Sequence, residues 1–203
     1  MLKVFGHPAS TCTRKVVFTA NETNTPYELV LVDIFKGEHK SPEHVARQPF
    51  GQLPALDDDG FKMFESRAMS RYVDEKAGGM LTPKDPQARA KMEQWISVET
   101  SDFYQLIMTF IYEDVFKRPQ GEEALKTAGE KVEKVVSVID SSLKESGKDW
   151  LAGDQFSIAE VAFAPYLEYA QMTKAKPIFD KYPHFSAWWK RVSDRPAWQK
   201  TRA

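Results

Sequence analysis

Leu2-Lys3-Val4-Phe5 alternates apolar and polar side chains and stops at Gly6-His7-Pro8, the pattern of a short strand. Arg14 to Ala20 then follows a helical spacing that ends in the turn-forming cluster Asn21 to Asn24, with Ser10 or Thr11 as its N-cap. Tyr27 to Val32, rich in β-branched and aromatic residues, predicts a second strand. Strand, helix and strand this close together predict a βαβ unit with parallel strands and a right-handed crossover. The stretch from Ile34 to Arg47 is polar and irregular, with a short helix after Pro42, because proline suits a first helical turn. Two short apolar runs then flank the acidic turn Asp57-Asp58-Asp59-Gly60, which predicts a hairpin. Pro54 opens its first strand, a place where a missing ladder donor is tolerated. Met69, Tyr72 and Val73 fall at i, i+3, i+4 and predict a helix from about Glu65 to Ala77, stopped by Gly78-Gly79. The order over residues 1–77 is therefore β-α-β-α-β-β-α.

Residues 78–86 form a linker punctuated by Gly and Pro, and beyond it no strand pattern appears. Residues 87–118 and 122–146 predict two long helices, the second repeating Val132, Val135, Val136, Ile139 and Leu143 at helical spacing. Trp150 to Asp154 reads as a loop. Ser157-Ile158-Ala159-Glu160 has the form of a capping box before the apolar run Val161-Ala162-Phe163. A last helix carries Phe185, Trp188, Trp189 and Val192 and stops near Arg195-Pro196. The fold class is thus α/β plus all-α: a small α/β domain over 1–77, a linker over 78–86 and an all-helical domain over 87–203.

Composition narrows the function classes. A net charge of −1 in 203 residues gives no general attraction to nucleic acid. No run approaches the ~18–20 apolar residues of a membrane span. The start of the chain lacks the apolar run of a secretory signal, so a cytoplasmic protein is expected. One cysteine, Cys12, permits neither an intrachain disulfide nor a multi-cysteine metal site, and no metal is expected.

Candidate chemistry sits around residues 50–66. The backbone before Pro54 offers an edge, and Glu65-Ser66 places a carboxylate and a hydroxyl at a strand end and helix start, where free N–H groups favour anions. Both suit a small, extended, peptide-like ligand. Taken singly, each residue also has a structural reading: Ser10 and Ser66 as helix caps, His39 and Lys40 as part of a solvated loop, Pro54 as a trans proline.

Four strings decide between these readings. They are Phe5-Gly6-His7-Pro8-Ala9-Ser10-Thr11-Cys12-Thr13-Arg14, Gly37-Glu38-His39-Lys40, Pro49-Phe50-Gly51-Gln52-Leu53-Pro54-Ala55 and Phe64-Glu65-Ser66-Arg67-Ala68. With the domain order, they resemble a cytosolic glutathione transferase of the serine type, similar to the phi class, over nearly the whole chain. The family's capping box usually ends in Asp; here Glu160 stands there, which is chemically sound at that position.

The resemblance implies a thioredoxin-like domain that binds glutathione, followed by a helical bundle that supplies a hydrophobic substrate site. It implies detoxification chemistry: glutathione as cosubstrate, no other cofactor, and attack of its thiolate on hydrophobic electrophiles, with organic hydroperoxide reduction by the same thiolate. Ser10 would donate a hydrogen bond to the sulfur. A bond to a charged group is worth roughly 1.5–3 kcal/mol. At about 1.36 kcal/mol per pKa unit, it would lower a thiol of pKa ~8.5 by about 1–2 units. Leu53 would read the cysteinyl backbone next to a cis Pro54, and Gln52 would add amide hydrogen bonds. Glu65 would hold the γ-glutamyl amine and Ser66 its carboxylate, while His39 and Lys40 hold the glycyl carboxylate.

Phe35 and Phe116 are candidates for the hydrophobic site, with Ile111, Tyr112 and Phe163 as further choices between lining and core. Trp95, Trp150, Trp188 and Trp198 read as core or interface. By resemblance the protein is a homodimer and Phe50 a key docking into the partner subunit; the alternative is an ordinary buried phenylalanine. Cys12 reads as a small helix residue, two positions past the serine. The competing functions are a non-catalytic carrier of hydrophobic ligands with the same fold, and an interaction module. The chain ends soon after its last helix, so no appended domain is expected.

Overall fold

The computed structural model describes residues 1–202. It divides into two compact units, one of Met1–Thr82 with the final helix and one of Pro83–Arg195. In the first unit the elements are β1 (Leu2–Gly6), α1 (Thr11–Glu22), β2 (Tyr27–Leu31), α2 (Pro42–Val45), β3 (Ala55–Asp58), β4 (Phe61–Met63) and α3 (Ser66–Lys76). The four strands form one sheet in the order β2-β1-β3-β4. β1 and β2 are parallel, while β3 runs antiparallel to both β1 and β4. This is the thioredoxin-like arrangement of the expected fold class.

The sheet's core follows from alternation. Leu2 and Val4 on β1 and Leu56 on β3 are buried with Val16 and Ala20 of α1 and Met69 and Val73 of α3. Full burial of such side chains is worth about 1.5–3 kcal/mol each. The hairpin turn places Asp59 at φ 51° and Gly60 at φ 97°, both in the left-handed region a tight two-residue connection requires. At the same end, Lys76 and Tyr72 donate to Asp58 and hold its carboxyl below the usual range. Asp74, fully buried in α3, accepts from Leu81 N–H and Thr82 Oγ1, each at 2.7 Å, and so fastens the segment that follows Gly78-Gly79.

The second unit contains α4 (Pro86–Val98), α5 (Tyr104–Asp114), α6 (Glu122–Ser146), α7 (Ile158–Ala170), α8 (Lys176–Asp180) and α9 (Pro183–Ser193). The expected single helix over 87–118 is two helices joined by a π-helical turn, Glu99–Phe103, and the second of them ends early, at Asp114. One inserted residue in the ladder rotates the following face, and periodicity alone does not reveal that step. α7 is buried all round except at Glu168, as its run of apolar residues requires. Its N-terminus carries the expected capping box: Ser157 N–H donates to Glu160 Oε2 at 2.9 Å, and Leu151 N–H to Oε1 at 2.7 Å. Burial of Glu160 raises its carboxyl above the ordinary value, against the pull of these donors.

The chain after Pro196 differs from expectation. Rather than ending with the helical domain, it forms α10 (Pro196–Arg202), which belongs to the first unit and packs on α1. Trp198 lies 5.0 Å from the Phe18 ring, and Asn21 Nδ2 donates to Thr201 Oγ1 at 2.9 Å. Pro196 starts this helix after the break that ended the previous one, so the same proline supplied both signals. Trp95, Trp188 and Trp198 are fully buried, and Trp150 is half-buried. No helix among the described residues is long and apolar enough to cross a membrane.

Candidate active site

Strand direction decides what meets at one end of the sheet. Gly6 at the end of β1 pairs with Leu31 at the end of β2. Phe5 pairs with Ala55 at the start of β3, and Leu56 with Met63 at the end of β4. Four segments therefore emerge together: 7–10 into α1, 32–41 after β2, 50–54 before β3, and 64–66 into α3. Ser10, His39, Lys40, Gln52, Leu53, Pro54, Glu65 and Ser66 all lie in these segments, as do Phe35 and Phe50.

Ser10 is the N-cap of α1, and its Oγ accepts from Thr13 N–H at 3.2 Å. That bond uses a lone pair and leaves the hydroxyl proton to donate elsewhere. Capping and activation are therefore compatible roles for this side chain. Ser10 N–H donates to the His7 carbonyl at 2.9 Å, and Ala9 N–H to His7 Nδ1 at 3.0 Å, which pins the loop. Thr13 is buried and Thr11 half-buried. Cys12 is half-buried in the first turn of α1.

His39 and Lys40 form a 3-10 turn, Glu38–Lys40. His39 is half-buried, and its pKa is lowered by desolvation, then by the neighbouring Lys40 and His44. At neutral pH its ring is uncharged, so the positive charge of the pair resides on the exposed Lys40. Lys40 Nζ lies 3.4 Å from the Phe50 carbonyl and over Gly51. Gly51 has φ 58°, and a Cβ there would stand 2.9 Å from Lys40 Cδ and 3.1 Å from the His39 carbonyl. Only glycine lets these two segments lie this close.

Leu53 and Pro54 are joined by a cis peptide bond. Leu53 lies outside the β1–β3 ladder, which begins at the Phe5–Ala55 pair. Gln52 is exposed, yet its backbone is held on both sides. Its N–H donates to Gln48 Oε1 at 3.2 Å, and its carbonyl accepts from His44 Nε2 at 2.7 Å. Gln48 Oε1 also accepts from Phe50 N–H at 2.8 Å.

Glu65 precedes α3 at φ 74°, ψ 99°, a conformation that costs a non-glycine residue on the order of 1–3 kcal/mol. Its side chain makes no capping bond and is exposed, while its carbonyl accepts from Met69 N–H at 2.8 Å. Ser66 is buried at the first position of α3. The strained turn thus offers a carboxylate and a hydroxyl beside the N–H groups of a helix start.

Phe35 is 72% exposed and meets the His7 ring edge-on at 5.2 Å. Phe50 is 63% exposed and meets Phe64 edge-on at 5.8 Å, so its reading as a buried phenylalanine is wrong. Phe116 belongs to the second unit, where it is half-buried between the rings of Tyr112 (6.1 Å) and Tyr169 (5.9 Å). Ile111 and Phe163 are fully buried and belong to the core. A cavity of about 410 Å³ in that unit is lined by Ser101, Gln105, Leu106, Lys131 and Lys134 among others, and by none of the predicted site residues. Among the described residues no cluster of His, Cys, Asp and Glu is placed to hold a metal ion.

Sequence reasoning missed His44, Gln48 and the close approach at Gly51. Only Ser41 hinted at His44: it caps α2, accepting from His44 N–H at 3.2 Å.

Residues 1–75 match the family model "Glutathione S-transferase, N-terminal domain", and residues 103–196 match "Glutathione S-transferase, C-terminal domain". The chain is 38% identical to glutathione S-transferase F9 of Arabidopsis thaliana, with 100% of this chain and 97% of that protein covered. It superposes on the crystal structure of glutathione transferase F2 from Populus trichocarpa with a TM-score of 0.93 at 33% identity, over 99% of this chain and 97% of that one. Maize glutathione S-transferase I, solved in complex with an atrazine–glutathione conjugate, gives a TM-score of 0.89 at 30% identity over 99% of this chain and 96% of that one.

Proposed function

Because the chain belongs to the glutathione S-transferase family, among its phi-class members, we propose that it conjugates glutathione to hydrophobic electrophiles, with Ser10 stabilising the thiolate. The observation that carries this reading is the gathering of four polar segments at one end of the sheet, around two helix N-termini. The Ser10 hydroxyl donates to the sulfur. Leu53 reads the cysteinyl backbone beside cis Pro54, with Gln52 alongside. Glu65 and Ser66 hold the γ-glutamyl end, and His39 and Lys40 the glycyl carboxylate. An extended tripeptide with an anion at each end fits this charge pattern, because Lys40 lies on one side and a helix start on the other.

The second substrate is an apolar electrophile, with the exposed Phe35 as an aromatic contact on the glutathione-binding unit. Conjugation forms a carbon–sulfur bond and expels the leaving group with its electron pair. With an organic hydroperoxide the same thiolate attacks the peroxide oxygen and releases the alcohol. A second glutathione then resolves the sulfenic acid to a disulfide and water. The protein acts in the cytoplasm as a homodimer, in which exposed Phe50, edge-on to Phe64, docks into the partner subunit.

Steady-state conjugation of an aryl halide tests the reading, with glutathione binding measured in parallel by calorimetry. Turnover that saturates in glutathione is expected. Saturable binding with no turnover across a broad electrophile panel would reduce the protein to a carrier.

A further inference from the structure

The Gln52–Leu53 peptide is the place where a buried residue outside the proposed site touches the proposed glutathione-binding edge. His44 sits on the four-residue helix α2 and is 2% exposed. Its Nε2 lies 2.7 Å from the Gln52 carbonyl. A carbonyl can only accept, so this ring nitrogen carries the proton. The other nitrogen, Nδ1, is buried and meets no partner. The single polar contact of the ring is therefore with the backbone of Gln52.

We propose that His44 is a positioning residue for glutathione binding, acting through the Gln52–Leu53 peptide plane. The proposal rests on the reading that Leu53 receives the cysteinyl backbone. A trans peptide is planar, with its C=O and the next N–H pointing in opposite directions. With the Gln52 carbonyl tied to His44, the Leu53 N–H is turned away from that ring. Gln48 fixes the preceding plane, Gly51–Gln52, by accepting from Gln52 N–H at 3.2 Å, and it holds the Pro49–Phe50 plane by accepting from Phe50 N–H at 2.8 Å. Two consecutive planes are thus locked before a ligand arrives.

The same short helix ties this edge to the glycyl side of the site. Ser41, directly after Lys40, caps α2 by accepting from His44 N–H at 3.2 Å. Gly51 brings the backbone of the other segment under His39 and Lys40. His44 thereby couples the 39–40 turn to the 52–53 edge. Its removal leaves the Gln52 carbonyl without its donor and the Leu53 N–H without a fixed direction. Ordering that edge then falls on the ligand and weakens its binding.

Three substitutions test this. His44→Phe keeps a ring of similar size without a donor, and His44→Gln restores an N–H near the place of Nε2. His44→Asn keeps the amide but is one methylene too short to reach the carbonyl. For each, the KM for glutathione, the KM for an aryl halide and the calorimetric Kd for glutathione are compared with wild type. The proposal expects His44→Phe and His44→Asn to raise the KM and Kd for glutathione roughly five- to tenfold, the loss of one well-placed hydrogen bond. The aryl-halide KM should stay within about twofold, and His44→Gln should recover most of the glutathione affinity. If His44→Phe does not fold, the Asn and Gln pair carries the comparison. Equal glutathione constants for that pair, or a parallel rise in both KM values, would overturn the proposal and make His44 a packing residue. A wild-type protein that does not bind glutathione at all would instead defeat the functional reading on which it rests.

Discussion

Replacing Ser10 by alanine removes two bonds at once, and their consequences separate. The hydroxyl caps α1 through Thr13 N–H at 3.2 Å, and its proton is directed to the glutathione sulfur in the proposed mechanism. A charge-assisted hydrogen bond of roughly 1.5–3 kcal/mol corresponds to about 1–2 units of thiol pKa. Taking a shift of ~1.5 units from 8.5, bound glutathione is about one-quarter ionised at pH ~6.5, against about one per cent without the serine. A less basic thiolate is also a weaker nucleophile, with a Brønsted slope of about 0.4–0.5, which returns roughly four- to fivefold. The net expectation is a variant about fivefold slower near pH 6.5. It should match or exceed wild type near pH 9, where both thiols are mostly ionised.

Ultraviolet absorbance of the bound thiolate reads the shift directly: its midpoint should rise by about 1–2 units in Ser10→Ala. Ser10→Gly separates the cap from the chemistry. A glycine N-cap costs only a few tenths of a kcal/mol and an alanine about 1, so alanine should lower Tm by about 2–4 °C and glycine by less than half of that. Both should show the same kinetic defect. An activity ratio that stays constant from about pH 6.5 to about 9, or an unmoved thiolate midpoint, would remove Ser10 from activation and leave it as a cap.

Lys40→Ala should raise the glutathione KM by about tenfold, while His39→Gln changes it by about threefold or less, because only the lysine is charged at neutral pH. Desolvation and the nearby Lys40 and His44 lower the pKa of His39 from its ordinary value, which moves its titration further below the interval from about pH 7 to 8. A His39-dependent change in glutathione KM over that interval would refute this assignment. Gly51→Ala, with φ 58° and a Cβ 2.9 Å from Lys40 Cδ, should raise the glutathione KM severalfold and lower Tm by several degrees, read by kinetics and calorimetry. Glu160→Gln should cost about 1–3 kcal/mol in denaturant unfolding. Each carboxylate oxygen faces donors, Leu151 N–H on one and Ser157 N–H and Oγ on the other, so an amide NH₂ must oppose one of them. Burial raises the Glu160 pKa, so the native state holds its proton more tightly than the unfolded chain. That contribution is full below about pH 4.5 and lost as pH rises through the native value, so the wild-type stability curve should slope down there and the Gln variant's should not.

The features that were legible in the sequence are local in origin. Alternation in Leu2–Phe5, the Asp59-Gly60 turn and the capping box at Ser157 depend on near neighbours, and each forms where its pattern lies. The segments that carry the eight predicted site residues leave the same end of the sheet because strand directions follow from the βαβ crossover and the hairpin, which are themselves short-range devices. What stayed hidden depends on contacts between distant parts of the chain. Pro196 signals a helix end and a helix start alike, and only the packing of Trp198 against Phe18 says that α10 belongs with the sheet. The π turn at Glu99–Phe103 leaves helical periodicity on either side and only shifts its phase.

His44 is the sharpest case, because a single histidine on a one-turn helix has no periodicity to reveal it. Its importance comes from a backbone carbonyl eight residues on, and main-chain groups carry no residue identity for a pattern to detect. In the proposed reading, glutathione recognition through backbone edges leaves its side-chain supports nearly invisible in sequence, while the residues proposed to meet charged groups stand out. Substitutions at the supports should move the glutathione KM without resembling site mutations in the sequence. That asymmetry makes the comparison of His44→Gln with His44→Phe informative beyond this one position. It measures how much of the affinity comes from aiming a peptide plane rather than from touching the ligand.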